Sequence, residues 1–307
     1  MSDGPVVLVP WPEPETFLPA LPDDTSYATF TVDDHDIPAG ADRAEFYVTP
    51  YTFATRPHEV MRELPALRAV QLLTAGYEHA LSSLPAGVQL ANAKGVHDAS
   101  TAELAMALIL AGQREIDADA RAMTSGTWVS GTTRALADCT VLLVGAGSIG
   151  AALERRLAGF ETTVVKVASR ARDDLHGPES LITLLPQADV VVLLVPLTDL
   201  TRGLMSADAL AAMKPGSLLV NVARGPVVDT DALVSACATG HVRAALDVVD
   251  PEPLPPDHPL WSTRGVLISP HRGGNSAAFL PRAQRLAAAQ ISRFVAGEPL
   301  EHVVATG

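Results

Sequence analysis

In the second half of the chain, three apolar segments each run into residues able to do chemistry. Asn221-Val222-Ala223-Arg224-Gly225 places a guanidinium just past the first segment. Asp247-Val248-Val249-Asp250-Pro251-Glu252-Pro253 ends the second with carboxylates among prolines. Ile268-Ser269-Pro270-His271-Arg272-Gly273-Gly274 ends the third with an imidazole beside glycines. Reducing a ketone by hydride leaves charge on the oxygen that needs a proton. A histidine paired with a carboxylate is a suitable donor, because the pairing favours the protonated ring. An arginine can fix a substrate carboxylate and stabilise charge on the carbonyl. The hydride itself must come from a separate cofactor. A loop histidine alone is ordinarily solvated, and His271 is one of nine in the chain. The cation and carboxylates at neighbouring segment ends are what single it out.

A cofactor site lies upstream. Val141-Leu142-Leu143-Val144 reads as a short buried strand, and Gly145-Ala146-Gly147-Ser148-Ile149-Gly150 follows at once. Beyond it Leu153 and Leu157 lie four apart on one face of a helix. Gly-x-Gly-x-x-Gly between strand and helix is the dinucleotide fingerprint. Gly145 permits the tight turn, Gly147 lets backbone approach a pyrophosphate, and Gly150 lets helix and strand pack closely. The N–H groups at the helix start, Ser148 and Ile149 included, face the phosphates with the positive end of the helix dipole. About 20 residues further on, an acidic residue would grip the ribose hydroxyls of NAD. Here that strand ends in Ala168-Ser169-Arg170-Ala171-Arg172, with Asp173 and Asp174 a few residues late. A hydroxyl and two guanidinium groups suit a 2′-phosphate, so the tip favours NADP over NAD.

The elements that must position these residues follow from pattern and bulk. A chain of 307 residues can bury a sizeable core and is expected to form two domains. Its formal net charge of −13 argues against a nucleic-acid surface or a polybasic membrane patch. The longest apolar runs, at 190–195 and 104–110, are too short to span a bilayer. Met1-Ser2-Asp3-Gly4 lacks the basic start of a signal peptide, and Cys139 and Cys237 stand isolated, without metal spacing. A cytoplasmic α/β protein is expected. Strands are predicted at 6–9, 46–49, 69–73 and 88–92, with a Pro-rich loop at 10–22. A helix runs from Ser100 or Thr101, either able to cap it, through Arg114. Its wide apolar side predicts packing between domains or against a second subunit. Residues 126–133 form a connector. Strands at 162–167, 190–195, 217–222, 242–248 and 266–268 then alternate with helices at 207–213 and 230–239, the pattern of a doubly wound parallel sheet. A last helix is predicted at 281–295. The regions divide as 1–98 and 99–273, with the terminal helix free to return to the first.

The motifs in this order resemble the D-isomer-specific 2-hydroxyacid dehydrogenases. The resemblance rests on Gly145 to Gly150, Pro196-Leu197-Thr198, the stretch from Asn221 to Asp229, that from Asp247 to Pro253, and Pro270 to Gly274. Asn92, Glu103 and Thr74-Ala75-Gly76-Tyr77-Glu78 extend it over nearly the whole chain. It implies two Rossmann-like domains with a cleft between them: a flavodoxin-like substrate domain from 1–98 plus 274–307, and a dinucleotide domain from 99–273. It makes Arg224, Glu252 and His271 the catalytic trio. It assigns Asp247, helped by the carbonyl of Val222, to the nicotinamide carboxamide, and sets Thr101 and Pro196 near the cofactor. Backbone N–H groups at Ala75 and Gly76 receive the substrate carboxylate. The expected substrate is a small 2-oxo or 2-hydroxy acid of the glyoxylate or hydroxypyruvate class. A homodimer through the cofactor domains is implied as well. The departure from many members is the Ser169/Arg170/Arg172 tip, where they carry an aspartate.

Other residues carry weaker readings. His79 and His97 flank these motifs and are read as structural. Tyr51 suits a packing role as well as a substrate contact. Trp128 is read as anchoring its connector rather than reaching across a dimer. Glu115, Asp117 and Asp119 read as a solvated face, and no metal ligand set stands out. Residues 49–55 are expected to shape the substrate pocket. Two other activities remain open on this body: a nucleotide-sensing interaction protein, and a phosphite or formate dehydrogenase.

Overall fold

Short runs of Val, Leu and Ile recur along the chain, and the central ones fold as strands buried on both faces, as parallel sheets require. The computed structural model describes residues 4–52 and 54–307. Residues 1–3, part of the start that lacks the basic residues of a signal peptide, and Phe53, within the expected pocket loop, lie outside the described residues. The first strands are β1 (Val6–Val9), β2 (Ser26–Thr29), β3 (Ala44–Val48), β4 (Ala69–Gln71) and β5 (Gln89–Ala91). After the helix Asp98–Arg114 come β6 (Thr140–Val144), β7 (Thr163–Val167), β8 (Leu175–His176) and β9 (Val190–Leu193). They are followed by β10 (Ser217–Asn221), β11 (Val242–Leu246), β12 (Val266–Ile268) and β13 (Val303–Thr306). The chain divides into two units, Met1–His97 with Ala277–Gly307, and Asp98–Ser276.

In the first unit the sheet order is β13-β5-β4-β3-β1-β2. Its pairs are parallel except β13 with β5, which is antiparallel. The helix Phe279–Val295 buries Ala283, Ala287 and Ile291 among Val7, Val9, Phe46 and Val48. Buried Gln290 ties it down, donating to Gln71 Oε1 at 2.8 Å and to the Glu301 carbonyl at 2.9 Å. Neither β2 nor β13 stands out in the sequence. Both are edge strands without a fully buried residue, so no apolar alternation marks them.

In the second unit the order is β12-β11-β10-β9-β6-β7-β8, parallel throughout. The order reverses between β6 and β9, where open α/β sheets bind ligands. The helix Asp98–Arg114 corrects an expectation. Its Ala102, Ala105, Leu108 and Ile109 share a core with Val141, Leu143, Leu153 and Val220 of the same unit. Small alanines let it sit close to its own sheet, so part of its apolar side fills the core of its own unit. It begins at Asp98, which places buried Ser100 and Thr101 inside the first turn instead of at the cap. Beyond it none of residues 114–135 is buried. Trp128 there is 93% exposed and anchors nothing in its own chain, contrary to the sequence reading. No helix among the described residues is long and apolar enough to cross a membrane.

One buried ring links fold stability to pH. His58, in the short helix Arg56–Glu59, is 3% exposed and meets His79 edge-on at 4.6 Å between centroids. Burial, and then the His79 ring, push its pKa down to about 4. The unfolded chain therefore takes up a proton near pH 6.5 that the folded chain refuses until about pH 4. The stability carried by neutral His58 is complete above the unfolded value and is lost as pH falls toward the folded one. Chemical unfolding at pH 7 and pH 5 should show a loss of about 2 kcal/mol from this ring. His58→Leu should flatten that dependence; an equal pH slope in the variant would exclude His58 as its source.

Candidate active site

The three chemical segments follow neighbouring parallel strands. Asn221 of β10 pairs with Leu246 of β11, and Leu246 with Ile268 of β12, so all three strands finish at one level. Past β10, Asn221 shapes the turn: its Oδ1 accepts from Ala223 N at 3.0 Å and its Nδ2 donates to the Arg224 carbonyl at 3.0 Å. Arg224 is half-buried, and its Nη1 donates to the Ala223 carbonyl at 2.7 Å. Gly225 next to it permits no side chain, since a Cβ would lie 1.8 Å from the Val249 carbonyl oxygen. The loops after β10 and β11 are thereby pressed together.

Past β11, buried Asp247 braces the third loop. Its Oδ1 accepts from Arg272 N at 2.7 Å and its Oδ2 from Gly273 N at 2.8 Å, while its carbonyl accepts from His271 N at 2.8 Å. These bonds hold His271 at φ +50°, a left-handed conformation uncommon for a side-chain-bearing residue. A Cβ on Gly273 would fall 2.9 Å from Asp247 Oδ2 and 3.4 Å from Thr101 Cγ2, so Thr101, Asp247 and Gly273 meet at one point. His271 Nδ1 is hydrogen-bonded to Glu252 Oε1. A carboxylate only accepts, so Nδ1 carries the proton of that bond. Glu252, among the carboxylates after β11, is thus the histidine's partner, and Asp247 is the loop's brace.

The glycine turn follows β6. Gly145 lies at φ +120°, and a Cβ there would stand 2.7 Å from the Leu194 carbonyl carbon. A Cβ on Gly150 would stand 2.5 Å from the Gly145 oxygen. At Gly147, by contrast, a Cβ would find no heavy atom within 4 Å. The first two glycines serve the fold, and the third leaves open space at the start of the helix Ser148–Leu157. No side chain caps that helix, so the first-turn N–H groups from Ser148 to Gly150 face a cradle that fits a pyrophosphate. Ser148 Oγ donates to Asp98 Oδ1 at 3.0 Å, a contact the sequence reading missed. Ile149 packs on the core beneath, Val222 is buried past β10, and Pro196 is exposed past β9.

Beyond β7, Ser169, Arg170 and Arg172 are all exposed, and neither arginine is in an ion pair among the described residues. Of the two nearby acids, Asp174 is occupied, while exposed Asp173 is in no ion pair among the described residues. Lys166 Nζ lies 2.7 Å from Asp174 and 3.0 Å from Glu154. The Asp174 and then the Glu154 carboxylates raise the Lys166 ammonium above its usual range, and Lys166 lowers Asp174. The tip is basic in effect as well as in composition.

Ala75 and Gly76 belong to the other unit, in the turn after β4. Thr74 is buried and donates through Oγ1 to the Gly76 carbonyl at 2.7 Å. Asn92 Nδ2 donates to the Ala75 carbonyl at 2.7 Å. Tyr51, His97 and Phe279 stack as a group of rings in the same unit, with Tyr51 and Phe279 centroids 4.2 Å apart. No group of three or more metal-ligating side chains occurs among the described residues.

Comparison with known proteins follows the same lines. Residues 106–273 match the family described as D-isomer specific 2-hydroxyacid dehydrogenase, NAD binding domain. The chain is 34% identical over 255 residues to a glyoxylate reductase of Thermofilum pendens, covering 78% of this chain and 75% of that one. It is 37% identical over 261 residues to a D-3-phosphoglycerate dehydrogenase of Mycobacterium bovis, covering 81% of this chain but 49% of that one. Among solved structures, a D-isomer specific 2-hydroxyacid dehydrogenase from Xanthobacter autotrophicus Py2, in complex with NADPH and MES, superposes with a TM-score of 0.81. It is 30% identical and covers 97% of this chain and 98% of its own.

The open space at Gly147 makes a separable test. Gly147→Ala should fold normally yet weaken NADPH binding at least about 10-fold, because the methyl group takes the phosphate's place. Gly145→Ala and Gly150→Ala should instead lower the melting temperature. Unchanged NADPH affinity in fluorescence titration of Gly147→Ala would move the phosphates elsewhere.

Proposed function

Because the chain belongs to the D-isomer specific 2-hydroxyacid dehydrogenase family, we propose that it reduces a small 2-oxo acid to the D-2-hydroxy acid. Glyoxylate and hydroxypyruvate are the leading substrates, and NADPH is the preferred reductant. The observation that carries this reading is the Glu252–His271 pair, whose members follow the two strands next to the one that Arg224 follows.

Each residue then has one task. Ala75 and Gly76 amides take the substrate carboxylate. Arg224 holds the acid and stabilises charge on the carbonyl oxygen as reduction proceeds. His271 delivers the proton from Nε2, and Glu252 fixes the ring's tautomer and aim. When bound, the nicotinamide supplies the hydride. Gly145, Gly147, Ser148, Ile149 and Gly150 would hold its pyrophosphate. Thr101, Pro196, Val222 and Asp247 would line its nicotinamide half, and Ser169, Arg170 and Arg172 would hold a 2′-phosphate. The NADPH preference is supported by the unpaired arginines and by Asp174, which Lys166 occupies. It is also supported by the Xanthobacter relative's complex. In the oxidation direction the same ring nitrogen of His271 takes the proton back.

The identity to phosphoglycerate dehydrogenases favours a second reading, in which the acid carries a phosphate. One assay separates the readings: glyoxylate, hydroxypyruvate and 3-phosphohydroxypyruvate, each with NADPH and with NADH. The first two should turn over fastest with NADPH, and His271→Ala should lower kcat about 1,000-fold while NADPH still binds. A preference for the phosphorylated acid would establish the second reading, and a preference for NADH would refute the role of the basic tip. Turnover that survives in His271→Ala would place the proton donor elsewhere.

We also propose a homodimer through the second unit. Ile116, Met123, Trp128 and Val129 lie exposed within a stretch that contains no buried residue. Such exposed apolar side chains support an association surface there. Light scattering should give twice the chain mass of 32.1 kDa, and Trp128→Ser with Met123→Ser should shift it toward one chain. A wild-type monomer would overturn the proposal. The free thiols of Cys139 and Cys237 suit a reducing compartment such as the cytoplasm.

A further inference from the structure

The turn after β4 has an uneven distribution of hydrogen bonds. Four successive carbonyl oxygens each accept one from within the unit. Leu73 O is bonded to His97 Nε2 at 2.8 Å and Thr74 O to Ala93 N at 2.9 Å. Ala75 O is bonded to Asn92 Nδ2 at 2.7 Å and Gly76 O to Thr74 Oγ1 at 2.7 Å. The N–H groups of Ala75 and Gly76 have no acceptor among the described residues. Each peptide is planar, so fixing a carbonyl also fixes the N–H on its other side. Tying the Thr74 and Ala75 carbonyls therefore aims the Ala75 and Gly76 N–H groups the opposite way. Tying Leu73 O fixes the plane that leads into both.

Two of these four donors are side chains reaching in from the segment after β5. Asn92 is buried, and its own Oδ1 accepts from Lys94 N at 3.3 Å, which sets the amide so that Nδ2 faces Ala75. His97 is buried as well. Because a carbonyl only accepts, its Nε2 carries the hydrogen toward Leu73. Its ring plane is fixed by stacking on Phe279, 5.2 Å away and 9° from parallel, and on Tyr51, 5.5 Å away and 29° from parallel. Simple packing would be satisfied by any aromatic ring there; the bond to Leu73 O is not.

The geometry points to Asn92 and His97 as positioning residues for the substrate carboxylate. They hold the 73–76 carbonyls inward so that the Ala75 and Gly76 amides present a preformed pair of donors to an anion. The inference rests on the assignment of those amides to the acid's carboxylate in the proposed function. His97 does not touch the substrate in this scheme; it acts through the backbone of Leu73 and Thr74.

The test uses His97→Phe, which keeps the stack and loses the donor, His97→Gln, which restores a donor, and Asn92→Leu. In the full-length enzyme His97→Phe and Asn92→Leu should each raise the KM for the preferred 2-oxo acid about 10-fold. Their kcat should stay within about 3-fold and NADPH affinity should not change, since loose amides weaken carboxylate binding and not the chemical step. His97→Gln should recover most of the KM. Hydrogen exchange of a peptide spanning residues 72–80 should quicken in His97→Phe and Asn92→Leu and return toward wild type in His97→Gln. An unchanged KM in the donor-less variants, or equal exchange in all proteins, would overturn the assignment. If the wild-type protein turns over no 2-oxo acid, the functional reading fails by itself, and the exchange comparison still decides whether these side chains hold the turn.

Discussion

The buried carboxylate of Asp247 is the constraint on which the chemical end of the second unit depends. It accepts two amide hydrogens, from Arg272 and Gly273, and its own carbonyl accepts a third, from His271. A hydrogen bond to an ionised group is stronger than a neutral one, and a buried carboxylate without such partners would be very costly. The two needs meet in one place: the carboxylate requires donors, and the turn requires an acceptor for three successive amides. His271 accordingly occupies a left-handed conformation that a free loop would seldom hold. Its ring then reaches Glu252, which comes from the same strand end that carries Asp247. A single strand end thus supplies both the brace of the histidine loop and the histidine's partner.

The glycine turn obeys a different constraint, that of space. Gly145 and Gly150 are excluded from carrying side chains by the Leu194 backbone and by each other's neighbourhood, whereas Gly147 faces empty volume. The three glycines of one motif therefore do two kinds of work. Two bring strand, turn and helix close enough for the helix start to face the turn, and one keeps the approach clear. Gly225 repeats the first kind at the neighbouring site, where the Val249 carbonyl presses against the Arg224 turn.

What could be read in the sequence divides along the same line. The glycine turn and the strands β1, β6, β9 and β10 show in a few consecutive residues, because a strand buried on both faces reads as a nearly continuous apolar run. Arg224, Glu252 and His271 were legible because each lies a few residues past such a strand. Three strands were not: β2, β8 and β13 sit at sheet edges or span two residues, and pairing rather than composition makes them. The helix Asp98–Arg114 was legible as a helix but not in its partner, since a wide apolar side does not say whose core it fills. The brace formed by Asp247 joins residues 25 and 26 positions apart, and the ties from Asn92 and His97 to the β4 turn span 17 and 24. Such contacts leave no local pattern. Trp128 looks like an anchor in sequence because tryptophan is costly to expose, yet it stands 93% exposed.

On the proposed function, a chain with a formal charge of −13 must attract a carboxylate and a dinucleotide, both anions. Its overall field opposes them, but that field is screened within about 10 Å at ordinary ionic strength. What decides binding is the local array, and in both units much of that array is backbone. The helix start after Gly147 offers N–H groups whose carbonyls are committed to the helix. The β4 turn offers the N–H groups of Ala75 and Gly76 because the carbonyls from Leu73 to Gly76 are committed to His97, Ala93, Asn92 and Thr74. Backbone donors do not titrate, and rigid ones lose little entropy when an anion arrives. In the proposed function, cationic side chains are thereby left for tasks that need a full charge: Arg224 at the reacting carbonyl, and Arg170 and Arg172 at the strand tip.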